Sequence, residues 1–134
     1  MTSPAEGLRR LRAAAASGTS DELCARHGVR LLTVFGSVVR DPDGARDLDV
    51  AVLPERGLDL AALVVALTDL TGVQELDVAD LGRAGPVLRE RALVGCVPVY
   101  EAGPGQYAAA QAAAVGERVD TDADRRLDLS LHAS

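Results

Sequence analysis

The sequence predicts a mixed α/β domain, and three observations carry that expectation. Short runs rich in β-branched and apolar residues alternate along the chain with stretches of helical periodicity. Glycine and proline punctuate the junctions between them. The chain is 134 residues long and 48% hydrophobic, without a long linker, which suits one domain that buries its core without staples.

Residues 1–18 open on Ser3-Pro4 and close on Ser17-Gly18, with Leu8, Leu11 and Ala15 at helical spacing: a short N-terminal helix. Thr19 and Glu22, three apart, have the form of a capping box for a second helix, which Gly28 ends after His27. Val29 to Phe35 is a buried first strand running straight into Gly36-Ser37. A polar turn with Pro42 and Gly44 leads to a second strand, 47–53, halted by Pro54. Asp59 caps a helix over about 60–70, with Gly72 beyond and an apolar stripe at Leu60, Leu63, Val64, Leu67 and Leu70. A third strand spans 75–81. Pro86 suits the first turn of a short helix to Leu93. Val97 to Glu101 is a last strand, and Pro98 places it at a sheet edge. After Gly103-Pro104-Gly105 come an alanine-rich helix, about 106–115, and a polar tail.

Composition narrows the function. The net charge is −6 and all fourteen basic residues are arginine. An acidic surface disfavours sequence-blind polynucleotide binding, which depends on neutralising phosphates. The three aromatic residues, Phe35, Tyr100 and Tyr107, make no stacking platform, and Tyr107 reads as a helix contact more readily than as a base-stacking residue. A metal-bound nucleotide remains compatible, because the cation supplies positive charge locally. Cys24 and Cys96 lie far apart, without a CxxC or Cys/His cluster, and read as free thiols. His27 and His132 read as helix-end and tail residues. No signal-peptide pattern and no apolar run of membrane length is present, so a soluble, cytoplasmic protein with no membrane partner is expected.

Two features bear chemistry. A strand ending in Gly36-Ser37 and turning into a helix points backbone N–H groups outward, and the glycine lets an anion approach the backbone closely. In Asp47-Leu48-Asp49 the two carboxylates, two apart on a strand, project to one face, while Leu48, Val50 and Val52 make the other face apolar. Carboxylates that close repel one another unless a cation or water intervenes, and Mg²⁺ takes oxygen ligands in company with phosphates. Either feature alone also suits a plain turn or a pair of solvated acids.

Together, Gly36-Ser37, nine intervening residues and Asp47-x-Asp49 resemble the signature of the DNA polymerase β-like nucleotidyltransferases. Within that superfamily the chain is most similar to the minimal nucleotidyltransferases, antitoxin partners of HEPN-domain ribonuclease toxins. Residues 26–37 (RHGVRLLTVFGS) and 76–89 (LDVADLGRAGPVLR), continuing to the strand at 95–100, carry the likeness, which covers about 19–101. The resemblance implies a nucleotidyltransferase fold, a small mixed sheet flanked by helices. It divides the chain into an N-terminal helical extension (1–18), a core (19–101) and a C-terminal helix and tail (102–134). It further implies that Gly36 and Ser37 hold the terminal phosphates of ATP. Asp47, Asp49 and Asp77 would be the catalytic carboxylates and the ligands of two Mg²⁺ ions, with Asp77, the third carboxylate, a metal ligand or the base for the attacking hydroxyl. Arg40 matches an arginine that follows Gly-Ser in the family and either meets a phosphate or is a solvated helix residue. Asp80, on the opposite strand face from Asp77, is structural.

The spacer is one residue shorter than is usual in the family, Arg46 stands where serine often precedes the first aspartate, and Asp41 replaces a glycine. Arg46 is placed to pair with one of the acids. The implied activity is transfer of AMP from ATP to a hydroxyl, a tyrosine by resemblance, of a HEPN toxin in a hetero-oligomer. Neutralisation by binding alone, or transfer to a small molecule or an RNA end, are the alternatives.

Overall fold

A computed structural model describes residues 2–55 and 57–133, the side chains of 121–133 excepted. Two helices, α1 (Pro4–Ser17) and α2 (Thr19–His27), precede strand β1 (Val29–Phe35). A four-residue helix α3 (Ser37–Arg40) and a 3₁₀ turn at Pro42–Gly44 lead to β2 (Leu48–Pro54). There follow α4 (Leu60–Thr71), β3 (Leu76–Asp80), α5 (Pro86–Leu93), β4 (Val97–Glu101) and α6 (Gln106–Ala133). The expected alternation holds.

The four strands form one mixed sheet in the order β3-β2-β1-β4. β1 pairs antiparallel with both β2 and β4, and β2 pairs parallel with β3. β1 lies at the centre, and all its residues but Arg30 are buried. Its continuous apolar run is what a strand covered on both faces requires. β4, with Pro98, is an edge strand, as the missing N–H donor dictates.

Strand alternation sends side chains to two cores. Leu32, Val34, Leu48, Val50 and Val52 pack with Leu8 and Leu11 of α1, Cys24 of α2, and Leu63 and Leu67 of α4. Leu31, Phe35, Ala51 and Leu81 pack on the other face with Ala92 and Leu93 of α5 and Ala114 of α6. Asp49 has the parity of Ala51 and so belongs to this second face. Helix α1, within the stretch expected as an extension, is thus built into the first core, and Arg10 Nη1 donates to the Thr71 carbonyl at the end of α4 (3.2 Å).

Gly7 on α1 marks how close that packing is. A Cβ built there would lie 2.5 Å from Val73 Cγ2 and 2.9 Å from Leu48 Cδ2. Glycine to alanine inside a helix ordinarily gains about 1 kcal/mol. Here overpacking reverses the sign: Gly7→Ala is expected to destabilise by about 1–3 kcal/mol, read as a lower urea midpoint.

Two local expectations are corrected. The Thr19/Glu22 capping box does not form. Only Gly18, at φ +86°, separates α1 from α2, and the Ser17 hydroxyl lies 2.9 Å from Thr19 Oγ1. Glu22 N instead donates to the Gly18 carbonyl. Where a polar tail was expected, α6 continues from Gln106 to Ala133. Gly116 costs a helix about 1 kcal/mol, too little to stop one among alanine, glutamate and arginine.

Candidate active site

The site lies where β1 ends. Gly36 sits at φ +82°, ψ −151°, a conformation essentially restricted to glycine, and turns the chain from β1 into α3. Phe35 faces Asp49 across the β1–β2 ladder. A Cβ built on Gly36 would lie 2.6 Å from Asp49 Oδ2, so the carboxylate occupies the space that glycine leaves open. The corner and the second aspartate, thirteen positions apart in sequence, are therefore in contact.

Asp77 reaches the same place through the parallel pairing of β2 with β3, which sets Asp49 opposite Asp77. Asp47 directly precedes β2, which begins at Leu48 and not at 47. Asp47 and Asp77 are exposed and Asp49 is half-buried. Burial raises the Asp49 pKa above the ordinary carboxylate value, and the charges of Asp77 and then Asp47 raise it further. Arg91, on the last turn of α5, opposes them. Asp49 is thus near enough to both other aspartates to feel their negative charge.

Among the described residues, no three His, Cys, Asp or Glu side chains form a ready-made metal cage. Mg²⁺ does not require one, since it is commonly held by one or two carboxylates together with waters and substrate phosphates. Oxygen donors, mutual repulsion and a neighbouring glycine corner fit that ion. Arg46 makes no ion pair with these acids among the described residues.

At the Gly36 corner a cleft of about 350 Å³ is lined by Gly36, Arg40, Glu90, Arg91, Val94 and Gly95. Ser37 is half-buried and opens α3, whose first N–H groups have no partner within the helix. Arg40 lines the cleft together with Gly36, the residue that Asp49 touches. Arg91 and Glu90 are the charged cleft residues that no sequence pattern singles out, because a last-turn arginine reads equally well as a partner for the helix dipole.

The remaining residues fall outside the site. Asp80 Oδ1 accepts from Gly82 N at 2.8 Å, a turn contact, in keeping with a structural role. Tyr107 OH donates to the Leu93 carbonyl at 2.9 Å, so it is a helix contact; burial and the Cys96 thiol 3.1 Å away push its pKa up to about 12. Cys24 and Cys96 are free thiols, and burial pushes Cys24 up to about 12. His27 ends α2, and the His132 side chain lies outside the described residues. Among the described residues no helix is long and apolar enough to cross a membrane.

No family model and no curated protein matches the chain. Solved structures do. One chain of a toxin–antitoxin complex with AMP-PNP superposes with a TM-score of 0.66 at 18% identity, covering 87% of this chain and 98% of that one. A chain of the complex of tri-AMPylated Shewanella oneidensis HEPN toxin with MNT antitoxin gives 0.63 at 19% identity, covering 87% and 95%. At such identities the likeness is one of fold. A protein assigned as a minimal nucleotidyltransferase gives 0.53 at 42% identity, covering 70% of this chain and 94% of that one. Sequence likeness of that extent, over nearly the whole of the relative and on the same fold, shows that the chain belongs to the minimal nucleotidyltransferase family.

Proposed function

We propose that this protein is an antitoxin that transfers AMP from ATP to a hydroxyl of a cognate HEPN-domain toxin, a tyrosine by family resemblance, and so neutralises it. One juxtaposition carries the proposal: the Asp49 carboxylate seated against the Gly36 corner, within the field of Asp47 and Asp77. Support comes from the fold-level neighbours, one solved with AMP-PNP and another with an AMPylated HEPN toxin. The net charge of −6 favours a protein acceptor over RNA, and free thiols suit the cytoplasm.

The residues divide the work as follows. Gly36 and Ser37 present backbone N–H groups, and Arg40 a guanidinium, to the terminal phosphates. Asp77 accepts the proton of the attacking hydroxyl as its oxygen bonds to the α-phosphorus. The bond from that phosphorus to its bridging oxygen breaks, and pyrophosphate leaves with the electron pair. Asp47, Asp49 and Asp77 would hold two Mg²⁺ ions, which supply the positive charge that lets three carboxylates and a triphosphate share one site.

The test mixes the purified protein, ATP labelled at the α-phosphate, Mg²⁺ and the product of the neighbouring gene. Label is expected on a tyrosine of that product. Absence of label, or label that survives Asp47→Ala/Asp49→Ala, rules the transferase out. Neutralisation that persists in the double variant without label would establish an antitoxin acting by contact alone.

A further inference from the structure

We infer that Arg91 is a phosphate-binding residue of the nucleotide site, gripping the terminal phosphates against the Gly36 corner. The inference rests on the ATP-site proposal above and adds a residue to it. Arg91 and Gly36 line one cleft, and Arg40 lines it too. The third charged residue there, Glu90, is engaged from outside: Arg118 of α6 stands 3.7 Å from its Oε2. Neither Arg40 nor Arg91 has an ion-pair partner among the described residues. An acidic protein thus keeps two guanidiniums without a salt bridge on the cleft at the glycine turn, Arg91 only attracting Asp49 through space.

The bland account of Arg91 is that it serves the C-terminal end of α5, where carbonyls lack helical partners. Other side chains already do this. Thr33 Oγ1 donates to the Ala92 carbonyl at 2.9 Å. Tyr107 OH and Gln111 Nε2 donate to the Leu93 carbonyl at 2.9 and 3.1 Å. These bonds clamp the end of α5 to β1 and α6, so among the described residues Arg91 is left with no side-chain hydrogen bond or salt bridge of its own and only the through-space attraction of Asp49. A planar fork of N–H donors matches phosphate bidentately, which a solvated ammonium does not.

The test titrates AMP-PNP with Mg²⁺, and separately AMP, into wild type, Arg91→Gln and Arg91→Lys by calorimetry. Arg91→Gln is expected to weaken AMP-PNP about ten- to hundredfold and AMP by less than about threefold, with Arg91→Lys between wild type and Arg91→Gln for AMP-PNP. A purely structural arginine would move both ligands alike. The inference is overturned if Arg91→Gln binds AMP-PNP as wild type does, or if AMP weakens as much as AMP-PNP. Wild type that binds AMP-PNP while Arg91→Gln does so equally well leaves the ATP site standing without Arg91. Wild type that binds no AMP-PNP overturns the ATP site and Arg91 together.

Discussion

Asp49→Asn is expected to abolish AMP transfer while making the protein more stable at neutral pH. The carboxylate is half-buried against Gly36, with Asp77 and Asp47 adding negative charge, and all three raise its pKa. A carboxyl whose pKa is higher folded than unfolded favours the folded state when protonated. Its contribution is fully present below the unfolded value, near 3.8, and is lost as pH rises through the folded value. Above that window the ionised Asp49 opposes folding, and asparagine removes the opposition. The gain is expected to be about 0.5 kcal/mol, since solvent screens exposed partners. Catalysis should fall by at least about a thousandfold, or about 4 kcal/mol of transition-state stabilisation, because a neutral amide neither balances cations nor holds them. Thermal melts across pH 3–7, paired with label transfer at saturating ATP, read both effects. Transfer within tenfold of wild type would remove Asp49 from the chemistry. A variant less stable than wild type at pH 7 would show that the carboxylate is a structural partner.

Such a trade of stability for charge is visible in the sequence only in part. Asp47-x-Asp49 announces two acids on one strand, and the strand periodicity places Asp49 away from the first core. Asp77 became a candidate only through family resemblance. What sets it beside Asp49 is the parallel register of β3 on β2, with α4 as the crossover, and no local pattern encodes that pairing. Arg91 was not legible at all. Its place depends on how α5 seats on the sheet, and that is settled by Thr33, Tyr107 and Gln111, drawn from two other elements.

Elements with sharp chemical punctuation were readable to the residue. β1 is bounded by Gly28 and Gly36, both at positive φ, and α5 begins at Pro86. Asp59 Oδ1 accepts from Ala62 N at 3.1 Å, so α4 has the cap its sequence shows. The failures have separate local causes. The Thr19/Glu22 signature lost to a neighbour, because one-residue spacing lets Ser17 reach Thr19 before the cap can form. α6 outran its expected end because no proline or capping glycine stops it, and Gly116 alone is a weak break.

Gly36→Ala is the substitution in which fold and chemistry should fail together. Two independent constraints meet at that residue. At φ +82° and ψ −151° the backbone occupies a region that an L side chain enters at a cost of about 1–3 kcal/mol. The added methyl group would also lie 2.6 Å from Asp49 Oδ2 and 3.5 Å from its Cγ, so the carboxylate must move. Asp49 is fixed on β2 by pairing opposite Phe35 and Asp77, and can yield only by turning its side chain away from the corner. The expected result is a loss of about 2–4 kcal/mol in stability, with label transfer down at least a hundredfold in the fraction that remains folded. Gly85 supplies the control. Its backbone is extended at φ −77°, and nothing lies within 4 Å of a Cβ built there. Gly85→Ala should be neutral, or slightly stabilising through a stiffer unfolded chain. Combining Gly36→Ala with Asp49→Ala separates the two constraints. Removing the carboxylate should recover the part of the stability lost to the clash and none of the part lost to backbone strain. Full recovery would mean that the corner tolerates a side chain and that glycine is there only to make room for Asp49. No recovery would mean that the methyl group and the carboxylate never meet, and the contact on which the proposed site is built would be gone.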